Sequence, residues 1–361
     1  MRFLVTEEKL RAFGQLICKV ASGKTLTREE SCEVYRQIIL NEQPELQQGA
    51  FLVAHITRKP TTEELSGVWD ALDRFDTEKF KAEVGGAVCD IVGTGSDALK
   101  TVNASSPAAL IASACGVPVA KKGAKKVTGV SGASEIFEIL GVNLSSPMSK
   151  AKQSLERYNI CYMPGEAFLK SGWARLIQYM RFTSAFNIVG PLTLPCENTS
   201  CIVIGAYAPE VCDQLVAILK EIGIKRAVAP YGMVNGVESS RGIDEFSPCG
   251  PTRVVELKNG EIQNYIVEPE DFGIKTHPSF DVASFNKAYD NAMAIRRVLS
   301  GAHNDNAKDG PLADLFCMNA AAALYVSGIS DSYKDCMERA QEALRLGKAL
   351  KQLNYLVNQQ A

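Results

Sequence analysis

The spacing of apolar positions divides this chain into stretches of different character. In the first block Leu10, Phe13, Ile17 and Val20 recur at helical spacing, and Gly23 suits the end of that helix. Thr27-Arg-Glu-Glu30 and Thr61-Thr-Glu-Glu64 each set a hydroxyl three residues before a glutamate, the pattern of a helix-starting capping box. Residues 1–75 are therefore predicted to form an all-helical domain, and the charged and small residues 76–86 to form a hinge. Beyond it, short apolar runs suited to buried strands (Ala87–Val92, Val117–Ala120, Cys201–Ala206, Ala227–Pro230) alternate with helical patterns (Ala108–Cys115, Ser131–Leu140, Pro209–Ile222), the last closed by Gly223. Such alternation implies a parallel sheet. Asn259-Gly260 predicts a hairpin turn inside Arg253–Tyr265. Residues 280–300 and 311–352 return to helix, with Asn319 to Ala323 small enough to pack closely. The expected fold is α/β: a small all-helical N-terminal domain, joined by helices from about 165–195, and a larger domain (87–361) with a mostly parallel central sheet flanked by helices.

The first strand runs into Asp90-Ile-Val-Gly-Thr-Gly-Ser-Asp97 and then Lys100-Thr-Val-Asn-Ala-Ser-Ser-Pro107. Gly93 and Gly95 lack the Cβ that would keep a bound group off the backbone. Ser106 is a good N-cap and Pro107 fits the first helical position. Free amides in the turn and at the helix start then point one way and make an anion site, to which Asn103, Ser105 and Ser106 add hydrogen-bonding side chains. Gly-Thr-Gly alone is equally compatible with a tight connection that binds nothing. The Thr-x-Asn-x-Ser-Ser-Pro continuation favours a ligand.

Two more loops carry candidate chemistry. Ala120-Lys-Lys-Gly-Ala-Lys-Lys126 is either a solvated lysine loop or a flexible cationic arm over a polyanion. Lys121 falls at the C-terminal strand edge where α/β folds bind ligands, and the helix start Ser131-Gly-Ala-Ser134 follows. Two amide clusters plus lysines suit a ligand with several phosphates. In Gly242–Thr252, Asp244 and Glu245 are either solvated loop charges or oxygen ligands for Mg²⁺, which would neutralise a diphosphate leaving group.

Composition narrows the classes. The 361 residues are 46% hydrophobic, enough for a sizeable core, and the formal net charge of -2 argues against a strongly basic nucleic-acid binder. The 11 cysteines form no Cys-x-x-Cys pair and there are only 3 histidines (His55, His277, His303), so a cysteine zinc site or His-rich metal cluster is unsupported. Scattered cysteines read as reduced thiols, giving the cytoplasm as the expected location. The N-terminal apolar run is too short for a signal peptide, and no run of about 18 apolar residues suggests a membrane span.

Taken together, these motifs resemble those of the anthranilate phosphoribosyltransferase family. Asp90–Asp97 is similar to its Gly-Thr-Gly-Gly-Asp loop, Thr101–Ser106 to Thr-Phe-Asn-x-Ser-Thr, and Lys121–Lys125 to Lys-His-Gly-Asn-Arg. Phe186–Thr193 resembles Phe-Asn-x-Leu-Gly-Pro-Leu-Thr, Gly242–Arg253 the metal loop, and Asn319–Val326 the Asn-Ala-Ala-Ala-Ala-Leu-Tyr-Val helix. The resemblance implies a homodimer formed through the helical domain, with phosphoribosyl diphosphate (PRPP) and Mg²⁺ in the cleft between the domains. It implies that Gly93, Gly95, Thr101, Asn103, Ser105, Ser106 and Lys121 hold PRPP, with Asp97, Lys122 and Ser134 completing the substrate-binding set. It implies that Ser105, Asp244 and Glu245 hold metal, and that Lys121, Asp244 and Glu245 serve catalysis. An aromatic amine would attack C1 of the ribose as diphosphate leaves, so catalysis is mostly positioning and charge neutralisation.

Departures from the family pattern are concentrated. Ser96 replaces the fourth loop glycine, and Ala133 a serine, with Ser134 beside it. On the acceptor side Lys122 stands for a histidine, Ala124 for an asparagine and Ile177 for an arginine, with Arg175 and Arg181 near but out of register. A guanidinium lost from a two-point grip is not a conservative change, so anthranilate, the acceptor the family implies, is expected to be a poor one, with another aromatic amine as the alternative acceptor. The competing expectation is a non-catalytic member that binds nucleic acid through Lys121, Lys122, Lys125 and Lys126. The acidic pair Asp244-Glu245 and the net charge oppose it.

Overall fold

The computed structural model describes residues 6–95, 99–124, 130, 132–170, 172–177, 180, 182–239, 241–301 and 309–360. The chain divides into two compact units: Met1–Lys79 with Phe168–Pro195, and Phe80–Ala167 with Cys196–Ala361.

The first unit is helical: Glu7–Ala21, Arg28–Ile39, Glu45–Thr57 and Thr62–Ala71, with short helices at Gly172–Ile177 and Ala185–Val189. Both capping boxes form, at Thr27 with Glu30 and at Thr61 with Glu64. Phe13 and Val20 are buried, while Leu10 and Ile17 are half-buried. Asp76 joins the late segment to this unit, its carboxylate accepting from the amides of Gly172 at 2.7 Å and Trp173 at 2.8 Å. The Trp173 ring lies flat against Phe186 and leaves no room for a side chain at Gly190, where a Cβ would fall 2.0 Å from the indole.

The second unit is built on a sheet of 7 strands in the order β3-β2-β1-β4-β5-β6-β7. They are β1 (Val88–Gly93), β2 (Val119–Gly123), β3 (Ile160–Pro164), β4 (Thr199–Gly205), β5 (Arg226–Gly232), β6 (Thr252–Lys258) and β7 (Glu261–Val267). β1 to β5 run parallel; β6 and β7 add an antiparallel hairpin. Its turn residues Asn259 and Gly260 have φ of 54° and 80°, the left-handed pair that a two-residue turn between twisted strands requires. The sheet is thus mostly parallel and flanked by helices, as expected. Ser105–Ala114 and Asp309–Val326, both rich in alanine, pack closely against its centre.

Several boundaries differ from the sequence expectation. The first α/β helix begins at Ser105 rather than after Ser106, because the Asn103 side chain, not Ser106, accepts the first-turn amide, from Ser106 N at 3.1 Å. β2 runs on through Lys121 and Lys122 instead of stopping at Ala120, so these lysines are strand residues and not a flexible arm. The helix expected from Ser131 is only Ala133–Ile139, and its free amide at Gly132 is already taken by Glu135 at 3.0 Å. Within the stretch 280–300 the α-helix is only Ala288–Leu299, preceded by a single 3-10 turn at Ser279–Asp281. The stretch 311–352 is three helices, Asp309–Val326, Tyr333–Arg345 and Lys348–Gln359, broken where Gly328 and Gly347 take positive φ. The helix Met148–Tyr158 and β3, joined by Asn159 in the left-handed conformation, were not anticipated.

Candidate active site

Successive strands are laid down outward from β1 to β2 and β3, and then on the other side from β4 to β5. The order reverses between β1 and β4, and parallel α/β sheets bind ligands at the carboxyl ends of strands flanking such a reversal. Gly93 and Gly205 end these two strands and are register partners.

The acidic loop lies over that glycine pair. A Cβ on Gly205 would meet the Asp244 carbonyl oxygen, and one on Gly93 would meet Asp244 Oδ2 at 2.3 Å. Gly93 is therefore needed by a protein carboxylate rather than by a ligand alone. Gly95, at φ +65°, turns its amide onto Asp244 Oδ2 at 2.7 Å. Glu245 reaches the helix start: Thr101 Oγ1 donates to Oε2 at 2.7 Å and Ala104 N to Oε1 at 3.0 Å. The loop itself is held from both ends. Ile243 exchanges backbone bonds with Gly232, and Asn319 from the long buried helix accepts from Phe246 N and donates to Phe246 O.

Lys121 closes the other side. Its ammonium donates to Ile91 O at 2.6 Å and to Ser105 Oγ at 3.1 Å. The residue is 1% exposed, and burial pushes its pKa down to about 8, against the pull of the neighbouring Asp90 charge. Ser106 Oγ is buried with no partner among the described residues, a position that a ligand oxygen would satisfy.

The structure thus gathers Gly93, Gly95, Thr101, Asn103, Ser105, Ser106, Lys121, Asp244 and Glu245 around one strand edge. Lys122 and Ser134 are engaged elsewhere. Lys122, on the opposite sheet face from Lys121, pairs with Asp90, both side chains almost wholly buried. Ser134 Oγ is 2.8 Å from Tyr162 OH. Arg175, considered for the acceptor, is bound to Ile38 O at 3.0 Å and Gln48 at 3.1 Å. Ser96, Asp97, Lys125, Lys126, Ser131 and Arg181 lie outside the described residues, as does the Ile177 side chain. With Lys121 and Lys122 buried, neither belongs to a solvated basic stripe for nucleic acid. Asp90, Tyr162 and Gly205 were not singled out from sequence; only Gly205, a glycine closing an apolar run, left a visible signal there.

The residues fit Mg²⁺. Asp244, Glu245 and Ser105 offer hard oxygen, and a carboxylate accepting one or two hydrogen bonds keeps lone pairs to spare. Among the described residues no group of three or more His, Cys, Asp or Glu forms a metal site by itself, so substrate oxygens and water would complete the coordination.

Comparison with known proteins places the chain in a family. Residues 85–350 match the glycosyl transferase family a/b domain, and residues 14–75 its helical bundle domain. The anthranilate phosphoribosyltransferase of Methanobrevibacter smithii is 32% identical over 345 residues, spanning 95% of this chain and 98% of the relative. The chain belongs to the anthranilate phosphoribosyltransferase family. The family member from Neisseria meningitidis serogroup C is 31% identical over 93% of this chain and 92% of its own. The crystal structure of the Thermus thermophilus member superimposes with a TM-score of 0.83 at 28% identity, covering 95% of this chain and 98% of that one. The Saccharomyces cerevisiae anthranilate phosphoribosyltransferase in complex with PRPP and Mg shares the fold at a TM-score of 0.85 and 22% identity, over 99% of both chains. No helix among the described residues is long and apolar enough to cross a membrane.

Proposed function

We propose that this protein moves 5-phosphoribose from PRPP to anthranilate with Mg²⁺ as cofactor. The observation that carries this reading is the meeting of Asp244, Glu245, Ser105 and Lys121 with the Gly93–Gly95 turn at the β1/β4 reversal. The names of the 31–32% identical relatives supply the acceptor.

The chemistry follows from charge. The amine lone pair forms a bond to C1 as the C1–oxygen bond to diphosphate breaks, and the amine then loses a proton to solvent. Negative charge grows on the departing oxygens. Lys121 would stabilise that charge through its buried ammonium, where low dielectric strengthens the attraction. The amides of Gly95 and Ala104, the Thr101 hydroxyl and Ser106 Oγ would fix the phosphate oxygens. Asp244, Glu245 and Ser105 would hold Mg²⁺, which supplies further neutralisation of the leaving diphosphate.

The helical unit exposes Leu40, Leu46 and Val53, Leu46 at 85%, which supports self-association through that unit. Free thiols at every cysteine support a reducing compartment, the cytoplasm.

Incubation with PRPP, Mg²⁺ and anthranilate tests the activity. Diphosphate should be released in proportion to anthranilate consumed; its absence in folded protein would overturn the reading. Light scattering giving a monomer mass would overturn the dimer.

A further inference from the structure

β3 is the sheet edge opposite the hairpin, so one row of its backbone groups faces no strand among those described. Gln360 occupies part of that row. Its Oε1 accepts from Tyr162 N at 2.9 Å and its Nε2 donates to Tyr162 O at 2.9 Å, as a neighbouring strand residue would. Ser146 Oγ donates to the Gln360 carbonyl at 2.7 Å, and Gln360 is buried. On its other side Tyr162 is the register partner of Lys121, so the two side chains share a sheet face. The phenol ring packs against Phe137 with centroids 4.4 Å apart. Its hydroxyl meets Ser134 Oγ and fills the space a Cβ on Gly123 would take, 2.5 Å away. Ser134 N in turn donates to Ala124 O at 3.3 Å.

We propose that Tyr162, held by Gln360, is a positioning residue for the donor half of the site. It walls the long stem of Lys121 and ties Gly123, at the end of β2, to Ser134. A lysine with a flexible four-carbon stem places its charge only as well as its neighbours confine it. The inference rests on the PRPP reading above.

The test uses the full chain carrying Tyr162→Phe, which keeps the ring and removes the hydroxyl, and Gln360→Ala. Loss of one neutral hydrogen bond corresponds to roughly a 2- to 12-fold change. The KM for PRPP should rise by about that factor in Tyr162→Phe and by more in Gln360→Ala, which removes both bonds to the Tyr162 backbone, with the KM for anthranilate unchanged. Amide hydrogen exchange at Gly123, Ala124 and Ser134 should quicken without ligand, while exchange at Phe246 stays the same. Unchanged donor KM and exchange, or an equal rise in both KM values, would overturn the proposal. Wild-type protein without calorimetric affinity for PRPP and Mg²⁺ would overturn the functional reading, and the donor role with it; unchanged exchange at Gly123 and Ser134 would overturn the tether as well.

Discussion

A Cβ built on Gly205 would lie 1.4 Å from the carbonyl oxygen of Asp244. No side chain can yield there, because the obstacle is backbone. Gly93 faces only the tip of the Asp244 carboxylate, which can turn away.

Gly205→Ala should therefore cost about 1–3 kcal/mol, typical of overpacking, and displace the acidic loop so that Mg²⁺-dependent PRPP affinity falls at least about tenfold. Gly93→Ala should cost less on both measures. Denaturant titration and calorimetry check this, and a Gly205→Ala protein that binds PRPP like the parent would contradict it.

The acidic pair holds the very donors an anion would use: Gly95 N, Ala104 N and Thr101 Oγ1. Combined Asp244→Asn and Glu245→Gln should weaken PRPP binding with Mg²⁺, yet strengthen binding of inorganic diphosphate without metal, since two repelling charges are gone. Calorimetry in both conditions reads the two signs. Weaker diphosphate binding in the metal-free double variant would remove the idea.

Lys122 and Asp90 form a buried pair, and removing one partner strands the other charge. Lys122→Met should cost about 3–5 kcal/mol. Adding Asp90→Asn should return much of it, a non-additivity that a double-mutant cycle in urea measures. Simple additivity would show that the pair is not coupled.

Glu64 anchors the helical unit. Burial alone would raise its pKa, but His55, the amides of Thr61 and Leu26, and Arg58 together hold it well below the usual carboxylate range. A depressed folded pKa means stability that is present above the ordinary value of 4.5 and lost as pH falls below it. Wild-type protein should thus lose more melting temperature between pH 7 and pH 3 than Glu64→Gln, which starts lower. Parallel acid curves would count against this role.

Much of the candidate site was legible because it is local. The Gly-Thr-Gly turn, the Asn103 and Ser105–Ser106 helix start and the Asp244-Glu245 pair are contiguous in sequence, and the capping boxes at Thr27 and Thr61 are read within four residues. What stayed hidden is set by long-range pairing. That Lys121 and Lys122 point to opposite faces follows from strand period, but only once β2 is known to continue past Ala120. Five apolar residues of β3 read as strand or helix alike, and their partner Gln360 lies 198 positions from Tyr162. Gly205 carries its meaning only through a loop some forty residues later.

Asn319 clasps both backbone groups of Phe246 from a helix that is buried along nearly its whole length. The main chain next to Asp244 and Glu245 is accordingly anchored at Phe246. If Asp244 and Glu245 hold Mg²⁺, exchanging the amides for metal would need a turn of the two carboxylates and no opening of the loop.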